Sequence, residues 1–406
     1  MDNKPRIAVI SPFLDKRHGT ERCVAEQIER LADDYEIHLY STAIQDIDLS
    51  KITWHRIHRL PSPHLIRYLW FFAANHICRW WHRYFRRLEF DLVFSPGINC
   101  LDADIIAVHI VFAEFYRFMR PELGLLHNPL RMWPWLIHRS LSYRFFIAIE
   151  QRVYTRDEMP LVVISRKMEQ DLARCFNRRS RVSLVYHGVD LERLNPLRRH
   201  VLRGMARQGL KIPEKTFVVL LIGNDWRKKG LRCLIDAVTS LPNADLTMLV
   251  CGEDQSSLWR DLIHQRGLEN RAMLLPLVRD IEQYYAAADV YVGPSLEDSF
   301  AIPPLEAMAC GLPVIVSRQA GVSELVTHGV DGFVLDDPRD SRELAYLIHQ
   351  IRLDEDLRHR VGTRAAETAR HYTWQRNAQE MKKIFEQRLR EKRQNSLDQR
   401  SALARI

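Results

Sequence analysis

The sequence predicts an α/β protein built as two doubly wound domains. Its 406 residues exceed what one ordinary hydrophobic core holds, so two cores are expected. Short β-branched runs alternate with stretches of helical spacing through both halves, the pattern of parallel strands covered by helices. Twice, such a run leads through a glycine-containing loop into a helix: residues 6–12 run into His18-Gly19-Thr20-Glu21, and residues 216–223 run into the loop 224–230. That unit turns the backbone amides of a helix start toward the carboxyl edge of a sheet, where an anion is favoured.

Composition narrows the class. Apolar residues make up 46% and charged residues 27%, which is ordinary for a folded globular chain. No run of about 18 uncharged apolar residues appears, and the opening residues lead into only a short strand, so neither a membrane span nor a secretory leader is expected. Seven cysteines, at 23, 78, 100, 175, 233, 251 and 310, form no C-x-x-C pair; reduced thiols in a cytoplasmic compartment, without a zinc site, account for them. The net charge of +8 is unevenly spread. Between Lys51 and Cys100 eight basic residues stand against Glu89 and Asp91 alone, which implies an anionic partner: a membrane surface, a phosphorylated substrate or nucleic acid.

In the first half, a helix over 21–33 follows the opening strand, with Cys23, Val24, Ile28 and Leu31 near helical spacing, and residues 36–41 and 52–60 read as further strands. The stretch 65–90 interleaves Trp70, Phe71, Phe72, Trp80, Trp81, Tyr84 and Phe85 with Arg67, Arg79, Arg83, Arg86 and Arg87. Two readings stand side by side: a helix in a membrane interface with its arginines on lipid phosphates, or a core helix whose arginines are its solvated face. No RNA-binding or helix-turn-helix signature accompanies it, so nucleic acid is set aside. Residues 91–95 and 103–109 read as strands, the second ending in His109, a site residue or a satisfied structural histidine. Residues 112–154 are again aromatic and basic, interrupted by Pro121, Pro129 and Pro134, and the strands 161–165 and 182–186 close this half.

In the second half the loop 224–230 sets Arg227, Lys228 and Lys229 directly before a helix over 231–241. Three cations at a helix N-terminus oppose its dipole, so an anion should compensate them, and a diphosphate would serve. Strands 246–252 and 272–277 follow, then Val278-Arg279-Asp280. The strand 288–293 enters Pro-Ser-Leu-Glu-Asp-Ser-Phe-Ala-Ile-Pro-Pro-Leu-Glu-Ala-Met-Ala-Cys-Gly (294–311), where Pro304 suits a helix start and Gly311 its stop. Carboxylates at Asp298 and Glu306 flank the amides of Phe300, Ala301 and Ile302, an arrangement able to hold hydroxyls on either side of a phosphate. The plainer reading is a pair of surface carboxylates favoured by a helix N-terminus. A long helix starts near 372, and residues 389–406, charged and Gln-rich, are expected to lack fixed structure.

These residues resemble the acidic Glu-x7-Glu signature of the family 4 retaining glycosyltransferases of GT-B fold, with Asp298 in place of the first Glu, Glu306 as the second, and Ala301 where the family has Gly. Ile-Ser-Arg-Lys-Met (164–168), His187-Gly-Val-Asp-Leu-Glu-Arg-Leu-Asn-Pro (187–196), Gly-Val-Ser-Glu-Leu-Val (321–326) and Asp331-Gly-Phe-Val continue the family order. The loop 224–230 looks most like that of the lipopolysaccharide core glucosyltransferases, Gly-x-Asp-aromatic ending in basic-Lys-Gly, with Asn224 at the usual arginine position.

The resemblance implies two Rossmann-like domains facing across a cleft, an acceptor domain over 1–192 and a donor domain over 193–371, with the helix 372–388 crossing back. It places Asp298 on the donor sugar, Glu306 on the ribose, and the amides after Phe300 on sugar and phosphate. Lys229, with Arg227 or Lys228, takes the diphosphate, Val278 lies by the base, Gly19 matches the second of the family's paired glycines at the phosphate, and His109 sits beside the donor sugar. The implied chemistry uses no cofactor and no metal: the donor is a nucleotide-sugar, UDP-linked, and sugar transfer retains the anomeric configuration. The implied acceptor is a lipid-linked or phosphorylated saccharide, handled by a peripheral protein on an anionic membrane surface at the cytoplasmic face of the inner membrane. Alternatives are a non-catalytic sugar-nucleotide-binding chain of the same fold, and an inverting transferase or epimerase with His109 or His18 as base.

Overall fold

The computed structural model describes residues 4–16, 19–61, 63–241, 245–276, 278 and 280–403, apart from the side chains of 127 and 399–403. His18 and Arg279 therefore lie outside the described residues. The chain forms two units, Met1–Tyr186 with Gln375–Ile406, and His187–Trp374. The exchange points fall at 186/187 and 374/375, where the sequence suggested 192 and 372.

The first unit runs β1 (Arg6–Ile10), β2 (Phe13–Leu14), α1 (Gly19–Leu31), β3 (Glu36–Ser41), β4 (Ala43–Ile44), β5 (Ile52–Arg56), α2 (His64–Arg86), β6 (Leu92–Pro96), β7 (Ile105–Val108), α3 (Phe112–Met119), α4 (Trp133–Tyr154), β8 (Leu161–Val163), α5 (Arg166–Phe176) and β9 (Val182–Leu184). Its sheet has the order β5-β3-β1-β6-β7-β8-β9, all parallel, and β2 pairs with β4 apart from it. The second unit runs α6 (Pro196–Gly209), β10 (Phe217–Ile222), α7 (Leu231–Thr239), β11 (Leu246–Cys251), α8 (Ser256–Gln265), β12 (Ala272–Leu275), α9 (Glu282–Ala287), β13 (Val290–Gly293), α10 (Ile302–Ala309), β14 (Val314–Ser317), β15 (Phe333–Leu335), α11 (Ser341–Leu353) and α12 (Glu355–Ala369). Its parallel sheet has the order β12-β11-β10-β13-β14-β15.

In both sheets the chain winds from a central strand to one edge, then returns to wind to the other. That reversal, at β1/β6 and β10/β13, opens a crevice at the strands' carboxyl ends. The central strands are buried on both sides and accordingly apolar, as β10 shows with all six residues buried, whereas the edge strands β5, β9 and β12 are only partly covered.

The last helix, α13 (Trp374–Leu403), belongs with the first unit. Met381, Phe385 and Leu389 pack into a core with Ile7 and Val9 of β1 and Val24, Ile28 and Leu31 of α1. Residues beyond 388, expected to be without fixed structure, continue this helix to Leu403. Ion pairs supply what apolar residues do not: Glu391 binds Arg181 at 3.1 Å and Arg388 at 3.2 Å, and Lys392 binds Asp104 at 2.8 Å.

Where the chain enters and leaves the second unit, the two passages run side by side. Val189 pairs with Thr373, and its N–H donates to Tyr372 O at 2.9 Å. A Cβ on Gly188 would lie 2.3 Å from the backbone N of Trp374, so only glycine fits that approach. Among the described residues no helix is long and apolar enough to cross a membrane.

Candidate active site

The loops after β10 and β13 meet because their strands are parallel neighbours, Val219 beside Val290 and Leu220 beside Tyr291. Leu296 N donates to Lys228 O at 2.8 Å and locks one loop to the other. Glycine permits the approach. Gly230, at φ +79°, would place a Cβ 1.9 Å from Pro294 O, and the stem of Lys229 lies across Gly223, whose Cβ would sit 2.7 Å from Lys229 Cε. Asn224 Oδ1 accepts from Glu253 N at 2.8 Å and Asp254 Oδ2 accepts from Trp226 N at 2.7 Å, which ties the loop to the one following β11.

This packing aims Lys229 at Asp298: Nζ forms an ion pair and hydrogen bond with Oδ2. Lys228 Nζ lies 3.6 Å from Glu297 Oε2. Burial alone would favour a neutral Asp298, but Lys229, Lys228 and the Phe300 N–H, which donates to Oδ1 at 3.3 Å, outweigh it and hold the pKa at about 2. Lys228 is likewise held charged, its burial outweighed by Asp298 and Glu297. Burial pushes Arg227 below its ordinary value, and the carboxylate acting against that is Asp254. Each cation of the loop thus has a carboxylate acting on it: Asp298 on Lys229, Asp298 and Glu297 on Lys228, and Asp254 on Arg227. Between the two candidates for the second cation, Lys228 rather than Arg227 acts on Asp298.

Helix α10 begins at Ile302, two residues before the expected start, with prolines 303 and 304 in its first turn. Its N-cap, Ala301, takes φ +70° and ψ 100°, a backbone shape that suits glycine. One turn further, Glu306 is 2% exposed and accepts from the Tyr285 hydroxyl at 2.7 Å. Phe300, buried, meets His187 edge to face at 5.0 Å, so the loop backs onto the segment that opens the unit.

A paired lysine and aspartate, a second lysine and a buried glutamate thus gather at the β10/β13 switch point. The description Glycosyltransferase Family 4 matches residues 17–193, and Glycosyl transferases group 1 matches residues 203–368. The chain belongs to the family 4 glycosyltransferases. A D-inositol 3-phosphate glycosyltransferase of Corynebacterium jeikeium (strain K411) is 29% identical over 245 residues, 57% of this chain and 58% of that one. Another, of Salinispora tropica, is 31% identical over 230 residues, 53% of this chain and 48% of that one. The chain spans less than two thirds of these curated relatives. Among solved structures, WaaG, a glycosyltransferase involved in lipopolysaccharide biosynthesis, superposes with a TM-score of 0.78 at 18% identity, over 93% of this chain and 99% of that one. Anabaena Alr3699/HepE, in complex with UDP and glucose, gives 0.71 at 19% over 95% and 100%. Both have the GT-B fold, and so does this chain.

In this member of the family the structure brings Lys228, Lys229, Asp298 and Phe300 together and places Glu306 behind them on α10. The Phe300 amide, expected to face a ligand, is used by Asp298. Val278 follows β12, between residues outside those described. Gly19 and His109 belong to the first unit, Gly19 as the first residue of α1 and His109 directly after β7. His109 is buried, and burial pushes its pKa down to about 4, so the imidazole is neutral at pH 7.

Two partners escaped the sequence. Tyr285, which orients Glu306, sits on a six-residue helix with no motif to mark it. Glu150 of α4 closes the N-terminus of α3, accepting from Phe112 N at 2.6 Å and Ala113 N at 3.0 Å; burial pushes its carboxyl up to about 8 against these two amides. Its 38-residue separation from Phe112 left no local signal.

Proposed function

We propose that this family 4 enzyme is a retaining hexosyltransferase that moves a sugar from a UDP-linked donor to a lipid-linked or phosphorylated saccharide in the synthesis of lipopolysaccharide or another cell-envelope polysaccharide. The observation that carries the reading is the pairing of Lys229 with Asp298, beside Lys228, at the β10/β13 switch point. The relatives act on an inositol phosphate, and HepE has been solved with UDP and with UDP-glucose, which supports a phosphorylated acceptor and a UDP donor.

In the proposed reaction the bond from the anomeric carbon to the diphosphate breaks as the bond to the acceptor oxygen forms on the same face. The acceptor proton passes to the departing phosphate oxygen, and a nucleoside diphosphate leaves. Lys229 exchanges Asp298 for the phosphate as charge develops there, with Lys228 alongside, so that fixed cations meet the charge without solvent reorganisation. Released from Lys229, Asp298 can accept from a sugar hydroxyl, and Glu306, held by Tyr285, can accept from the ribose. Two ammonium groups serve where a divalent cation would otherwise act, so activity is expected to persist in a chelator; loss restored by magnesium or manganese would refute metal independence.

Titration calorimetry against UDP, GDP and ADP tests the donor site. Micromolar binding of UDP, about −8 kcal/mol, weakened at least tenfold in Lys229→Ala and Glu306→Ala, supports it; equal binding by the variants sinks it. The internal Lys229–Asp298 pair also favours a second reading, a chain that binds nucleotide without transferring sugar. UDP binding with no turnover of any UDP-sugar against cell-envelope acceptors would favour that one.

A further inference from the structure

Helix α2 is amphipathic in reverse. Its buried residues, Phe71, Asn75, Arg79 and His82, recur every three to four positions and form one stripe, and three of the four are polar. Each polar one has a partner on the first unit's body. Asn75 Nδ2 donates to Asn99 O at 3.2 Å, Arg79 grips Asp102 with bonds of 2.7 and 2.8 Å, and His82 Nδ1 meets the Tyr40 hydroxyl at 2.8 Å. The opposite side carries Ile77, Trp80, Trp81, Tyr84 and Phe85, between 50% and 70% exposed. Their rings pack on one another, Trp81 against Phe85 with centroids 3.9 Å apart and Trp80 stacked on Tyr84 at 5.7 Å, so they form one patch. An apolar face normally drives a helix onto its sheet; here hydrogen bonds hold the helix and the apolar face is left outward.

We propose that this face of α2 docks on an anionic phospholipid bilayer, lying parallel to it. Charge decides the occupant. Arg83 is exposed beside the patch, Arg86 and Arg87 stand next to it, and the surrounding residues 51–100 carry eight basic side chains against two acidic ones in a chain of net charge +8. Tryptophan and tyrosine favour the headgroup level, where an aromatic body meets acyl chains and a polar tip meets water, and arginine meets lipid phosphate. The inference rests on the transferase reading only for its purpose, which is to hold the first unit where a lipid-linked acceptor is presented; the docking itself stands on α2.

The experiment is flotation of the full chain with vesicles of phosphatidylcholine alone or mixed seven to three with phosphatidylglycerol. The double variants Trp80→Ser/Trp81→Ser and Arg83→Glu/Arg86→Glu are run beside the parent at low and high salt. The parent should float with the anionic vesicles at low salt. The tryptophan variant should lose at least tenfold in partition, and the arginine variant should lose the preference for anionic lipid. Circular dichroism melts and UDP titration, expected to match the parent, guard against a fold defect and test the donor reading separately: lost UDP binding with intact flotation counts against the donor site alone. No flotation by the parent, or equal flotation by parent and variants, overturns the proposal. So does a concentration-dependent dimer in the parent that the tryptophan variant abolishes, since the patch would then bind a second copy of the chain.

Discussion

Asp298 is ionised inside the protein because two ammonium groups face it, and its neighbours determine what substitution would do. In Lys229→Ala the burial stays and the main compensating charge goes, so the Asp298 carboxyl should rise from about 2 to above the ordinary aspartate value. Carboxyl-carbon NMR titration of the variant would show it; an unmoved titration would mean that Lys228 suffices alone. Ala301 poses a different question, that of backbone shape. At φ +70° its Cβ is strained, which costs about 1–3 kcal/mol. Ala301→Gly should therefore stabilise the second unit by about 1 kcal/mol, net of glycine's extra chain entropy. Thermal unfolding would register a gain of a few degrees, and a loss instead would show that the loop relaxes around alanine at no cost. Asp298, Glu306 and the lysine run were legible in the sequence because short motifs carry them. The pairing of Lys229 with Asp298 was not, since 69 residues separate them and only the adjacency of β10 and β13 brings them together.

At the scale of the element, α2 rests on a cluster of histidines. His38 Nδ1 lies 2.9 Å from His55 Nε2, His55 stacks on Tyr40 at 4.5 Å, and Tyr40 binds His82. Glu36, itself paired with Arg6, faces His38 at 3.0 Å, and Cys78 lies 4.0 Å from His82. Burial first, then His82, His38 and Arg86, push the His55 pKa down to about 4; burial, Arg86 and His38 lower that of His82. A base whose folded pKa is depressed binds its proton more readily when unfolded. Its stabilisation is therefore complete above the ordinary histidine value near 6.5 and drains away as pH falls toward about 4. The melting temperature of the first unit should fall across that window, and His55→Gln should flatten the fall. A variant with the parent's profile would move the effect to another group. The sequence showed α2's composition but not its orientation, because arginine and tryptophan can each face inward or outward, and the choice turned on Asp102, Asn99 and Tyr40, which lie elsewhere in the chain.

For the whole molecule, the first unit is made from two separated pieces of chain, whereas the second is continuous. Phe385 of α13 lies within the core of the first unit, edge to face with Phe94 at 5.3 Å and Tyr35 at 5.8 Å. Phe385→Ala should cost that unit about 3–5 kcal/mol and leave the second unit's unfolding in place. Residues 187–374 expressed alone should keep the β10–β15 sheet and bind UDP; an unfolded fragment would show that the second unit depends on the first. The sequence by itself determined the longer strands, the doubly wound class and the family, because β-branched runs, glycine turns and the 298–306 motif are local and follow from backbone sterics; the short strands β2 and β4 and the strand order it did not show. Tertiary structure alone decided which carboxylate each lysine meets, that α13 stays helical past 388, and which face of α2 looks outward. Those outcomes depend on groups distant in sequence meeting in space, where burial and pairing outweigh local preference.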